Sequence, residues 1–391
     1  MAKYNFDQII DRKGTNALKT DVLKERYGSD DLIPLWVADM DFLSPPAVSE
    51  AIIERAKHGL FGYTCPCSQY YNSIINWVKR SHDWEIAKEW ITFIPGIVKG
   101  IAFVIDCFST KEDHVIIQPP VYHPFKIIPT LHQRKVIDNP LFLEAGRYKM
   151  DLVDLKKRID SNTKILILCN PHNPGGRVWT KQELIDLAEI CYDNGILVIS
   201  DEIHSDMAFG NNKHVPFASV SDKAAQNSIT FMAPSKTFNI AGIVSSYSII
   251  PNEIIRTNFN NYLKSSELEE GHIFAYLAAK AAYDKGEDWL IEAKDYIWKN
   301  ILFVEEFMKA NIPQIKVMIP EASFLVWLDC RELNLSQKDL VSLFVKDAKL
   351  ALNDGAMFGK GGEGFMRLNV GSPKSVIEKA LNNLKTALDN K

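Results

Sequence analysis

The chain has 391 residues, 46% of them hydrophobic and 24% charged, with a formal net charge of −4. That length exceeds one small core and predicts two domains of ordinary water-soluble composition. The mild negative charge gives no basis for a nucleic-acid or anionic-membrane partner; no apolar run reaches the length of a bilayer span, and Met1 to Asp7 lack the apolar stretch of a secretion signal.

From about residue 50 to 285, short apolar runs alternate with amphipathic stretches. This is the pattern of an α/β fold, a mainly parallel sheet with helices on both faces. Ile91 to Ile94 reads as a strand and Ile97 to Phe108 as a helix. In the turn between them, Pro95-Gly96-Ile97-Val98, the backbone N–H groups at the helix start can hold a dianionic phosphate without a basic side chain. His114 to Ile117 reads as a strand, and Lys164 to Cys169 as another that ends in the amide-rich turn Asn170-Pro171-His172-Asn173-Pro174. Thr180-Lys181-Gln182-Glu183 is a capping box that opens a helix with Leu184, Leu187, Ala188 and Cys191 on one face, stopped at Gly195. The strand Ile196 to Ser200 then delivers Asp201, and the strand Ser228 to Met232 leads into Ala233-Pro234-Ser235-Lys236.

The last hundred residues differ. Long helical stretches precede strands at Ala322 to Leu328 and Phe365 to Val370, and Ser372 caps a closing helix with Pro373 at its first position. That predicts a smaller α+β domain. Gly359 to Gly364 fits the dinucleotide fingerprint by letter, but it precedes a strand and lacks a βαβ setting, so it reads as a glycine loop. Of six cysteines only Cys65 and Cys67 are close, with no second cluster to complete a zinc site. No metal is expected; free thiols and a reducing, cytoplasmic setting are.

Three of these strand ends belong together. Asn173, Asp201 and Lys236 are each separated by enough chain for one strand–helix–strand crossover, and ligands of open α/β sheets bind at the carboxyl ends of the strands. A lysine there loses basicity on burial, and a lysine neutral near pH 7 forms a Schiff base. A carboxylate keeps a pyridine nitrogen protonated, and an amide donates to a phenolate oxygen. Together they meet the needs of pyridoxal 5′-phosphate, with Ile97 and Val98 at its phosphate and the Ser235 hydroxyl beside them.

The chain resembles the fold-type I pyridoxal-phosphate enzymes of the class I/II aminotransferase superfamily, and within them the cystathionine β-lyase and cystalysin group. The matching stretches are Asp11 to Thr15, Trp36 to Phe42, Phe61-Gly62-Tyr63, Pro120-Val121-Tyr122, Asn173-Pro174, Ser200 to His204, Ser235 to Ile240 and Arg367-Leu368-Asn369. The resemblance implies a large cofactor domain over 48–286 with a mainly parallel seven-stranded sheet, and a small α+β domain from 1–47 and 287–391. It implies that Tyr122 stacks on the cofactor ring, that His204 adjoins the cofactor, and that Arg367 clamps the substrate carboxylate beside Ala38 and Asn173. It also implies that Tyr63 reaches the phosphate of a neighbouring subunit in a homodimer, and that the bonds Pro119–Pro120 and Asn173–Pro174 are cis. His204 stands where many aminotransferases of the superfamily have tyrosine, Ala233 where serine is common, and Ile240 to Ile243 supplies no phosphate-binding arginine; all three fit the lyase group.

The expected reaction is α,β-elimination from an S-substituted L-cysteine, with Lys236, Asp201 and Tyr122 as catalytic residues. An aminotransferase shares every step up to removal of the Cα proton and stays open as an alternative. A protein-binding regulator on the same fold is the reading from another class.

Overall fold

The computed structural model describes residues 3–390, so Met1, Ala2 and Lys391, the extremities of the expected small domain, lie outside the described residues. Seven strands form the main sheet: β1 (Ile91–Ile94), β2 (His114–Ile117), β3 (Lys135–Asp138), β4 (Thr163–Cys169), β5 (Leu197–Asp201), β6 (Ser228–Met232) and β7 (Ser246–Ile249). Their order is β1-β7-β6-β5-β4-β2-β3, and only β7 runs antiparallel to its neighbours.

The central strands are apolar throughout because both faces are covered. Alternate residues of β4 show this: Ile165 and Ile167 join Ile199, Phe231 and the helix Ile97–Phe108 on one face. Leu166 and Leu168 join Val198 and the helix Lys181–Asp193 on the other. A Cβ on Gly100 would lie 2.8 Å from side-chain carbons of Ile94 and Phe231, so glycine lets the helix Ile97–Phe108 settle directly on the sheet. Its N-cap, Gly96, has φ +108°, a region that L side chains rarely adopt. The capping box forms as expected: Thr180 Oγ1 accepts from the Glu183 N–H at 3.2 Å, and Glu183 Oε2 accepts from the Thr180 N–H at 2.8 Å. The β4–β5 crossover carries this full helix, whereas the β5–β6 crossover holds only the five-residue helix Asp222–Gln226 and short 3₁₀ turns.

The second sheet has four antiparallel strands, β8 (Lys316–Met318), β9 (Leu325–Asp329), β10 (Asn353–Asp354) and β11 (Phe365–Asn369), in the order β8-β9-β11-β10. Val326, Leu328, Met366 and Leu368 pack against Ile297, Ile301, Ile377 and Leu381 of the helices Glu287–Asn311 and Lys374–Asp389. Two expectations need correction here. The strand expected from Ala322 begins only at Leu325, because Ala322 N donates to Gly176 O at 3.0 Å and Ser323, at φ +79°, donates to Met207 O at 2.9 Å. Those bonds tie the segment to loops of the main sheet. The closing helix begins at Lys374 with the extended Pro373 as its N-cap, so Ser372 lies one residue too early to cap it. Its carbonyl instead accepts from Asn300 Nδ2 at 2.9 Å.

Among the described residues no helix is long and apolar enough to cross a membrane. All six cysteines are free, with Cys65 and Cys67 exposed and Cys169, Cys191 and Cys330 buried.

Candidate active site

Parallel pairing sets Cys169 of β4 beside Asp201 of β5, and Asp201 beside Phe231 of β6. The chain leaving these strand ends therefore brings Asn173, Asp201 and Lys236 to one edge of the sheet. They line a cavity of about 160 Å³ with Tyr122, His204, Ala38, Ile97 and Val98. Lys236 lies past the end of β6, in the helical turn Pro234–Thr237. Ser235 is buried next to it.

The Lys236 Nζ donates to the Ala38 carbonyl at 2.6 Å. Burial pulls its pKa down to about 8, against the opposing pull of the Asp39 and Asp201 charges. Asp201 is buried, and burial pushes its carboxyl up to about 7 although its Oδ1 accepts from the Ile203 N–H at 3.1 Å. No cation pairs with it among the described residues. A carboxyl held that high meets a cationic partner favourably, since a positive charge offsets the desolvation. Burial also drives His204 down to about 3, so its ring is neutral, and its Nδ1 is buried without a hydrogen-bond partner. Burial, with the Asp201 charge, raises the Tyr122 phenol; its ring packs edge-on against Phe125 at 5.9 Å.

Arg367 enters from the other sheet. It is buried on β11, and its Nη1 donates to Asn173 Oδ1 at 3.0 Å. Nη2 donates to Asn353 Oδ1 at 2.5 Å and to the Trp36 carbonyl at 3.1 Å. Its Cζ lies 4.9 Å from the Phe358 ring centre, and Nε is buried with no partner. Burial lowers its pKa to about 10, which leaves the guanidinium charged at neutral pH. No carboxylate pairs with it among the described residues, which is costly for a buried cation and suits a site that receives an anion.

This donor set fits pyridoxal 5′-phosphate. A lysine of lowered basicity is available for the aldehyde, an unpaired buried carboxyl for the ring nitrogen, and an amide, a phenol ring and a helix start for the remaining edges. The bonds Pro119–Pro120 and Asn173–Pro174 are cis, as is Asn170–Pro171, which the sequence reading did not anticipate. Tyr63 is not brought to the cavity of its own chain; it is fully exposed beside exposed Phe61 and Leu60.

Several contributors went unnoticed in the sequence. Cys169 lines the cavity and its sulfur accepts from the Asn173 N–H at 3.3 Å; its place as last residue of a strand leading into Asn173 was the available clue. Ile203 lines it too, one residue before His204. Asn353 sits in a two-residue strand with no periodicity to announce it. Among the described residues no group of His, Cys, Asp and Glu is arranged to hold a metal.

The family described as aminotransferase class I and II matches residues 30–384. The chain is 43% identical over 98% of its length to all of the cystathionine β-lyase PatB of Bacillus subtilis. It is 32% identical to the protein MalY of Escherichia coli, covering 98% of this chain and 99% of that one. The crystal structure of cystalysin from Treponema denticola, which contains pyridoxal 5′-phosphate, superposes with a TM-score of 0.96 at 35% identity and 99% coverage of both chains.

Proposed function

The chain belongs to the class I and II aminotransferase family, and within it we propose that the protein is a carbon–sulfur β-lyase acting on L-cystathionine or a related S-substituted L-cysteine. Its cofactor is pyridoxal 5′-phosphate. The observation that carries the reading is the convergence of a Lys236 of lowered basicity, an unpaired buried Asp201 and a carboxylate-free Arg367 at one site, in a chain related over 98% of its length to a named β-lyase.

In this reading Lys236 binds the cofactor aldehyde and Asp201 faces the ring nitrogen. Tyr122 covers the ring, while Asn173 and His204 contact its polar edge. The N–H groups of Ile97 and Val98, with the Ser235 hydroxyl, hold the phosphate. When bound, the cofactor supplies an electron sink for the pair left at the substrate Cα. Arg367 receives the α-carboxylate in two parallel hydrogen bonds, a geometry that suits its fork. That contact, with Asn173 and Ala38, presents the Cα–H to Lys236 Nζ. Once the substrate amine displaces it from the aldehyde, the Lys236 amine, with a pKa near 8, keeps roughly a tenth of its population as free base at pH 7 and removes the Cα proton as general base. The Cβ–S bond then breaks with its electron pair going to sulfur, and the thiolate takes up a proton. The remaining aminoacrylate reacts with water to give pyruvate and ammonia.

The same reading divides the chain at 48–286 against 1–47 and 287–391, supported by the placement of the seven-stranded sheet in the first part and the four-stranded sheet in the second. It pairs two copies so that Tyr63 of each completes the other's phosphate site, and it sets the enzyme in the cytoplasm. The test is to supply L-cystathionine without any keto acid. Continuous pyruvate release over many turnovers is expected. A single turnover that stalls until a keto acid is added would make the protein an aminotransferase instead.

A further inference from the structure

Residues 36–42 form no helix or strand, yet they pass directly over the cavity lysine. Each carbonyl from Trp36 to Asp39 is taken by a side chain. Arg367 Nη2 donates to Trp36 O, Asn369 Nδ2 donates to Val37 O at 2.5 Å and to Asp39 O at 2.7 Å, and Lys236 Nζ donates to Ala38 O at 2.6 Å. With no regular ladder along this strap, the place of the Ala38 carbonyl depends on what anchors its neighbours.

Two carboxylates follow Ala38, and two cations from the segment Asp11 to Asp21 close on them. Arg12 straddles both, with Nη2 at 2.6 Å from Asp39 Oδ2 and Nη1 at 3.1 Å from Asp39 Oδ1 and 2.9 Å from Asp41 Oδ1. Lys19, with 0% exposure, places Nζ 2.7 Å from Asp41 Oδ2 and 3.5 Å from Asp39 Oδ1. The Lys19 carbonyl in turn accepts from Trp36 Nε1 at 3.0 Å, so both ends of the strap are fastened to the same segment. A fully buried ammonium is tolerated only where its partners are well placed, so this four-charge cluster admits little variation in geometry.

We propose that Arg12 and Lys19 are positioning residues for the reaction: by clamping Asp39 and Asp41 they fix the Ala38 carbonyl against the Lys236 amine and neutralise the carboxylate charge beside it. The proposal rests on Lys236 being the cofactor lysine. The charges and titratable groups around Lys236 are Asp39 on the strap, Asp201 at the end of β5, His204 just beyond it, Cys169 at the end of β4, Tyr122 across the cavity and Arg367 on β11. Removing Arg12 leaves two anions facing one cation, so the field at Nζ becomes more negative and its proton is held more tightly.

The test uses the holoenzyme and follows its visible absorption against pH together with kcat and KM. Arg12→Gln is expected to raise the spectroscopic midpoint by about half a pH unit or more, and to lower kcat about tenfold with KM changed less than about twofold. Arg12→Lys restores the midpoint but only part of kcat, because one ammonium cannot straddle two carboxylates. Lys19→Met moves the midpoint in the same direction as Arg12→Gln and carries the test if that variant does not fold. Wild-type midpoint and kcat in the folded variants, or a loss confined to thermal stability, would overturn the proposal. A Lys236→Ala protein that keeps the cofactor's lysine-bound absorption and turnover would instead overturn the assignment of Lys236.

Discussion

Arg367 and Asn173 join the two sheets at the active site: the guanidinium Nη1 on the four-stranded sheet donates to the amide oxygen at the edge of the seven-stranded sheet over 3.0 Å. The bond fixes the amide's orientation. With Oδ1 committed to Arg367, the Asn173 NH₂ is the end left to donate to a ligand. In the proposed reading, one side chain thus serves a substrate carboxylate and orients a cofactor contact.

Arg367→Lys breaks this arrangement without removing the charge. Lysine cannot span Asn173, Asn353 and the Trp36 carbonyl while offering a fork to a carboxylate. Losing a charge-assisted contact costs about 1.5–3 kcal/mol, or roughly ten- to a hundredfold in kcat/KM. Steady-state assays should show KM raised for every amino-acid substrate while the protein still retains its cofactor. Loss of cofactor, or a wild-type KM, would remove Arg367 from the carboxylate site.

The strand-end residues were legible in the sequence because each lies just past a continuous apolar run, and burial on both faces leaves such runs few alternatives to a central strand. Lys236, Asp201 and Asn173 could be placed on one edge from that pattern alone. Arg367 could not be joined to Asn173 this way, since nothing local says which edge of a second sheet will face the first; its role came from resemblance. The clamp on the strap was less legible still. Arg12, Lys19, Asp39 and Asp41 carry no local pattern that would pair them, and only the fold buries Lys19 among them. The misplaced start of β9 has the same origin: Ala322 and Ser323 are apolar or small enough for a strand, but their N–H groups are claimed by Gly176 and Met207.

Tyr63 bears on assembly. It is fully exposed, and Leu60 and Phe61 beside it are 70% and 59% exposed, an apolar face that a second copy would cover. If Tyr63 serves the partner's phosphate, Tyr63→Ala and Lys236→Ala should each be inactive or nearly so. Mixed and reassorted, they should recover roughly a quarter of wild-type activity, since half of random dimers are hybrids and each hybrid holds one intact site. No recovery on mixing, with dimers confirmed by light scattering, would place Tyr63 outside the shared site.

The buried histidines set how the fold responds to acid. Burial lowers His172 and His204 to about 3 and His123 to about 4, and it lowers His214 despite the Glu202 carboxylate 2.7 Å away. His123, His172 and His204 are neutral in the native protein at pH 6, whereas in the unfolded chain they titrate near 6.5. The unfolded state therefore binds more protons below about pH 6.5, and stability falls as pH drops from there towards 4. Asp201 opposes this, because its carboxyl, raised to about 7, holds a proton in the native state that the unfolded chain has released above about pH 4. Counting only the fully buried His172 and His204 against Asp201, the net difference is small near pH 6.5 and grows to about one proton by pH 5, where the slope is about 1.4 kcal/mol per pH unit. His214 adds to it, and His123 adds a share reduced by solvent screening. Urea unfolding of the cofactor-free full chain should show stability falling ever more steeply between pH 6.5 and 5, approaching that slope at the acid end. In His172→Gln the slope near pH 5 should fall by about 1.4 kcal/mol per unit. A flat profile over that range would mean that these histidines take up protons in the folded state, and that their burial is looser than the structure has it.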